Sequence, residues 1–228
     1  MSWDPRSGAP SSETERKGAI VGAGGPTSRE FDLSLATLVQ ARGSTLLDAL
    51  ELHAPGSRDH ADGTASYAFA TAVELGFRRA HAEAVRETAR LHEVGKVYVP
   101  AAVLAGDPGT LDSRDQTLLA SHPALGAELA RGAGIPEEAC DWIAAMGERF
   151  DGGGPAGLAG ERIPLESRIA RVACACDAAL NAAPEAGSPQ GTHPTAIAEL
   201  RAQAGQELDP RVIEALTAML DRAATPRR

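Results

Sequence analysis

The stretch Leu91-His92-Glu93-Val94-Gly95-Lys96 places an imidazole, a carboxylate and an ammonium within about one helical turn of one another. Ala89 and Val85 precede His92 at i−3 and i−7, so His92 continues an apolar stripe and is expected to face inward, with Gly95 ending the helix. A buried imidazole beside a carboxylate calls for a partner, and a lysine four residues after it suits a phosphate-handling metal site. Outward from this stretch, other polar segments stand at intervals. His60 lies upstream. Downstream come His122-Pro123, then Glu148-Arg149-Phe150-Asp151-Gly152-Gly153-Gly154-Pro155, then Arg168-Ile169 leading to Asp177-Ala178.

The intervening chain reads as helices. Leu35, Leu38, Leu46 and Leu50 recur near helical spacing from Phe31 to His53, interrupted at Gly43, which fits one broken helix or two short ones. That leucine-rich segment suits either packing on the bundle or a homodimer contact. His60 opens a helix in which Ala65, Phe69 and Val73 repeat at i+4 and which stops at Gly76, and the next runs from about Arg79 to His92. Ser113-x-x-Gln116 has the form of a capping box. Pro123 suits a first helical position, leaving His122 at the cap, and Pro136 starts a helix reaching about Glu148. A Gly-rich loop fills residues 151 to 164. Leu165, Ile169, Val172 and Cys176 then form one stripe of a central helix, and Asp209-Pro210 starts the last helix after a polar loop through His193. Nothing reads as a strand pair, so the fold class is all-α with no substantial sheet. The expected division is a disordered tail over 1–30, a helical segment over 31–57, a main helical domain over 58–223 and a short tail over 224–228.

Composition narrows the function classes. Among 228 residues 43% are hydrophobic but only 4% aromatic, so the core must rest on Ala, Leu, Val and Ile, which favours closely packed helices. A formal charge of −9 repels phosphate backbones, and the dispersed Lys and Arg form no basic patch, which argues against a nucleic-acid duplex as partner. No window is long and apolar enough for a membrane span, and no signal-peptide pattern opens the chain. Cys140, Cys174 and Cys176 form neither an even disulfide framework nor a spaced zinc motif, so a reducing cytoplasmic setting is expected. Cys140 and Cys176 share apolar stripes, whereas Cys174 lies off the stripe, three residues before Asp177.

His60, His92-Glu93-Val94-Gly95-Lys96, His122-Pro123-Ala124-Leu125-Gly126, Glu148-Arg149-Phe150-Asp151-Gly152 and Arg168-Ile169 before Asp177-Ala178, in that order, resemble the HD-GYP branch of the HD metal-dependent phosphohydrolases. The likeness spans roughly Leu46 to Leu220. It implies a helical bundle with two or three metal ions at its centre, hydrolysis of the second messenger cyclic di-GMP, and attack on phosphorus by metal-activated water. His60, His92 and His122 match family ligands, Glu93 stands at the position of a bridging Asp, and Lys96 matches a lysine that stabilises developing negative charge.

The chain also departs from the pattern. Met146-Gly147 replaces a paired His-His, Cys174 replaces the Asp that ends the metal set, Gly56 stands where some members carry Glu, and Gly154 runs directly into Pro155 without the signature tyrosine. These changes leave too few donors for a second ion. The resemblance therefore implies one divalent ion (Fe, Mn or Zn) held among His60, His92, Glu93, His122 and Cys174, with the thiolate favouring zinc. Lys96 is the candidate catalytic residue, and Lys96 and Arg149 the candidate contacts to substrate phosphate. Each has a structural rival: a helix-end charge for Lys96, a tie to Glu148 or Asp151 for Arg149. Asp177 is expected to cap or to pair with Arg168 or Arg171, and His53, His81 and His193 to be exposed. Two functions of different class remain: a phosphodiesterase acting on a cyclic dinucleotide or another phosphate ester, and a relative without catalysis or metal that binds nucleotide or a signalling protein.

Overall fold

The structure is a computed structural model, and it describes residues 28–181 and 193–224. Its described residues form ten α-helices joined by short turns and 3-10 segments, with an isolated bridge between Ala204 and Leu208 in place of any sheet. The first three helices are α1 (Ser28–His53), α2 (Ser57–Glu74) and α3 (Arg79–Ala89). Next come α4 (Ala101–Leu104), α5 (Ser113–Ala120), α6 (His122–Gly132) and α7 (Glu137–Ala145). The long α8 (Leu165–Asn181), then α9 (His193–Ala202) and α10 (Pro210–Ala224), complete the bundle. Most of the expected tails, residues 1–27 and 225–228, and the polar loop over 182–192 lie outside the described residues, while Ser28 to Glu30 already belong to α1. No helix among the described residues is long and apolar enough to cross a membrane.

Two apolar clusters share α3 between them. Val85 and Ala89 pack with Ala68 and Ala72 of α2, Ile169 and Val172 of α8, and Leu216 of α10. Ala84 and the following Leu91 instead pack with Leu35 and Val39 of α1, Ala127 of α6 and Ile143 of α7. Burial of α3 on both sides explains how a short helix fixes the position of His92 just beyond its end. In α2 the buried face is Ala61, Ala65, Ala68 and Ala72, whereas Val73 is exposed. Small side chains on that face let the α2 backbone approach α8 closely, which places the polar residues of the two helices in reach of each other.

Several boundaries differ from the sequence reading, each for a local reason. The break expected at Gly43 is absent, and α1 runs unbroken through it. A Cβ at Gly43 would meet Leu91 Cδ2 at 2.9 Å, so this glycine serves close packing against Leu91 rather than a turn. The α3 helix ends at Ala89, not His92, because Leu91 and His92 donate to Thr88 O and Ala89 O in the tighter i→i−3 pattern. His92 nonetheless faces inward, 7% exposed. Asp112, not Ser113, caps α5, accepting from Arg114 N and Asp115 N at 2.9 Å each, while Gln116 donates to Leu111 O. Ser121 rather than His122 precedes the first residue of α6, and α7 ends at Ala145, short of Glu148.

Candidate metal and phosphate site

The site forms where α2 crosses α8 beneath the end of α3. His60 lies in the first turn of α2, and Cys174 and Asp177 lie one turn apart on α8, at the same-face spacing i, i+3. His60 Nδ1 lies 2.7 Å from Asp177 Oδ2, and because an ionised carboxylate only accepts, Nδ1 carries the proton and donates. The pairing is possible because residue 63 is glycine: a Cβ there would fall 2.0 Å from Asp177 Oδ1. His92 is fixed in the same sense, its Nδ1 donating to Ala89 O at 2.9 Å.

With both Nδ1 atoms committed as donors, the two Nε2 atoms face each other at 3.2 Å, and Cys174 Sγ lies 3.5 Å from His60 Nε2. The donor atoms of these three residues all lie within 4.8 Å of one another, close enough to share one ion. Neutral rings so oriented would oppose two lone pairs. A proton or a cation between them removes that conflict.

Electrostatics follow the geometry. The Asp177 hydrogen bond, then that of Cys174, raises the His60 pKa to about 10 in the metal-free chain, against the opposing effect of burial. Burial acts to raise the Cys174 thiol, but His92 and His60 outweigh it and bring it down to about 6, in the thiolate range at neutral pH. His92 is itself raised, since Cys174 and Glu93 together outweigh its desolvation. Glu93 is brought down to about 2 by His92, Lys96 and His60 against the cost of burial.

Of the residues singled out in the sequence, His60, His92 and Cys174 come together. Glu93 flanks them, Oε1 lying 3.9 Å from His60 Nε2 and 3.8 Å from His92 Nε2, and it forms an ion pair with Lys96. His122 stands outside the three-atom group, its Nδ1 directed at Leu119 O at 2.7 Å, but it shares with His92, Glu93, Cys174 and Arg149 the lining of a cavity of about 380 Å³. Burial lowers the His122 pKa, which keeps that ring neutral. Arg149 takes its loop-tying role through Asp151, at 3.1 and 2.7 Å, and also pairs with Glu207 at 2.7 Å. Glu148 holds the Gly-rich loop separately, accepting from Ala156 N and Leu158 N at 2.7 and 3.0 Å.

Three expectations are corrected here. Asp177 pairs with His60 rather than with an arginine, because Arg168 is taken by Asp209 and Arg171 by Glu207. His81 is not a free surface residue: it lies 2.9 Å from Glu166 and stacks on Trp142, with ring centroids 5.8 Å apart. His53 is half-buried, with Nε2 2.7 Å from Val99 O. Sequence reading missed Gly63, Arg171 and Glu207 as site residues. The spacing of Arg171 three residues before Cys174, itself three before Asp177, on one helix was the signal that could have marked Arg171.

Known proteins share this architecture. The family model described as an HD domain matches residues 26–212. The cyclic di-GMP phosphodiesterase response regulator RpfG of Xanthomonas campestris pv. campestris is 35% identical over 76% of this chain, which covers 46% of that relative. A 3'3'-cGAMP-specific phosphodiesterase 2 of Vibrio cholerae is 30% identical over 83% of this chain and 34% of its own length. The chain thus spans less than half of either relative. Among solved structures, the L. monocytogenes phosphodiesterase PgpH HD domain, in complex with cyclic-di-AMP, aligns with 81% of this chain and 99% of its own, at a TM-score of 0.59 and 18% identity.

Proposed function

The chain belongs to the HD-domain family, and from that premise we propose that its cavity is a metal-dependent phosphodiesterase site for a cyclic dinucleotide or a related phosphate ester, built around a single divalent ion. One observation carries this reading: the Nε2 atoms of His60 and His92 face each other at 3.2 Å while both Nδ1 atoms are held as donors. Metal-ligating histidines are oriented in this way by a carboxylate or a carbonyl behind the ring. The donor set of two imidazoles and one thiolate, with the Glu93 carboxylate beside it, suits zinc better than iron or manganese. An ion held there would supply Lewis-acid polarisation of a phosphoryl oxygen and the acidity needed to ionise a water.

The remaining roles belong to the chain itself. Asp177 fixes the His60 ring, and Ala89 O fixes that of His92. Lys96 waits on Glu93, from which its ammonium can turn to meet the negative charge on the phosphoryl oxygens during attack. Neutral His122, its Nδ1 proton held by Leu119 O, lines the cavity as a group whose Nε2 can take a proton. Arg149 presents a guanidinium to the same space. The free state of all three cysteines fits a reducing cytoplasm.

A second reading, of binding without catalysis, is favoured by Met146 and Gly147, which bring no metal donor to the wall. The separating experiment measures metal content of protein purified without a metal-binding tag, next to His92→Ala, and then assays cyclic di-GMP and cGAMP hydrolysis. Stoichiometric metal lost in the variant, with turnover in the wild type, supports the diesterase. Tight nucleotide binding without turnover, by a chain that takes up no zinc, manganese or iron, supports the binding module.

A further inference from the structure

On α8, Arg171 lies one turn before Cys174 and on the same face, so its guanidinium reaches the cavity beside the His60, His92 and Cys174 cluster. Its contacts are few for a group so placed. Nη1 donates to Met146 O at 3.2 Å and Nη2 to Glu207 at 3.0 Å, while the buried Nε has no hydrogen-bond partner among the described residues. Arg149 donates to the other oxygen of the same Glu207 carboxylate at 2.7 Å. Two guanidiniums thus converge on one carboxylate at the cavity wall. An oxyanion with several oxygens is what such a paired fork binds best.

We propose that Arg171 and Arg149 form a phosphate-binding fork, and that Glu207 is its resident anion, exchanged for a phosphoryl group when ligand enters. Glu207 is suited to leave. Its side chain is 39% exposed, against 28% for Arg171 and 32% for Arg149, so its carboxylate can turn to water while the arginines stay. Its backbone does not depend on the ion pairs, because Phe150 N donates to Glu207 O, Asp151 N to Gln206 O, and Leu208 beside it is buried. Arg149 keeps its second partner, Asp151, throughout the exchange. The fork also selects by charge: a neutral nucleoside offers nothing to displace the carboxylate, whereas a phosphate ester does. The inference rests on the reading of this cavity as a phosphate-ester site, but it concerns binding alone and does not require an ion.

The test uses the full chain stripped of metal, with guanosine 5'-monophosphate as the probe and guanosine as its uncharged control, followed by calorimetry. Glu207→Gln is near-isosteric and is expected to bind the monophosphate about three- to fivefold more tightly, the scale of one competing ion pair. Arg171→Gln is expected to bind it about tenfold more weakly, as for loss of a charge-assisted hydrogen bond, and Arg171→Lys to fall between. Guanosine affinity should not change in any variant. A purely structural Glu207 would give no such gain, with Glu207→Gln binding the monophosphate no better than wild type. That result, or unchanged binding in a folded Arg171→Gln, overturns the fork. Zinc content of the same variants, measured before the metal is stripped, separates the two ideas: bound zinc with no fork pattern leaves the metal site standing, and the fork pattern in variants that never carried zinc does the opposite.

Discussion

The two sides of the cavity are built to different standards. On the side where α2 meets α8 both imidazoles have an orienting partner: Asp177 behind His60, Ala89 O behind His92, and a cleared space at Gly63 that lets the first pairing form. On the side of α7 and the loop after it, the wall is Met146 and Gly147, and Gly147 is hemmed in, since a Cβ there would meet Pro123 Cγ at 3.0 Å and Pro155 Cγ at 3.7 Å. Oriented donors concentrate on one side, and the other supplies shape and, through Arg149, positive charge. The contrast teaches that Met146 and Gly147, where the sequence resemblance has a histidine pair, fall together on one wall, while His60, His92 and Cys174 keep their donor atoms within 4.8 Å of one another and can act as a unit.

The most damaging test of this asymmetry is Gly63→Ala. The new methyl must displace the Asp177 carboxylate or separate α2 from α8, and we expect a loss of stability of about 1–3 kcal/mol by thermal or urea unfolding, together with loss of bound metal. A variant with wild-type stability and metal content would show that the two helices have slack that the packing denies. Asp177→Asn isolates the orienting role. The fold should hold, while metal affinity falls about 10- to 100-fold in a competitive chelator titration, and unchanged affinity would remove Asp177 from the site.

The opposite wall offers the converse experiment. Met146→His should raise the metal-to-protein ratio measured by elemental analysis, because Met146 already lines the cavity. Adding Gly147→His should contribute less and lower stability by about 1 kcal/mol, since Pro123 has to yield. Equal gains from both substitutions would mean that the wall adapts freely. A finer probe is the pH dependence of iodoacetamide labelling in the metal-free chain. The Cys174 thiolate forms as pH rises, so its labelling should have a midpoint near 6, whereas burial holds Cys176 at about 12 and keeps it silent at neutral pH. Metal should be released as pH falls through that same region, because protons then compete for the sulfur. His60→Ala should move the Cys174 midpoint back toward the ordinary thiol range, and no movement would argue against the His60 contact.

Much of this organisation was legible in the linear chain. The i−3 and i−7 positions before His92 point it inward, Asp209 with Pro210 starts α10 with Asp209 Oδ1 accepting from Arg211 N at 2.8 Å, and Cys174 stands off the apolar stripe that holds Cys176. These features follow from side-chain direction on a helix, which depends only on local spacing. His60, His92 and Cys174, which the sequence resemblance singles out, come together in the structure.

What the sequence could not decide was pairing across distance. Asp177 had two nearby arginines to choose from, and it chose a histidine 117 residues away because Ala61 and Ala65 bring α2 close to α8 and Gly63 leaves room for the carboxylate. Gly43 looked like a break and is a packing contact with Leu91. Glu207, an unremarked residue before the last helix, draws Arg149 and Arg171 together at the cavity wall. Local periodicity determines which face of a helix is buried, because it is a property of a few adjacent residues. Which charged group meets which is set by how closely the helices approach, and that distance exists only once the bundle has packed.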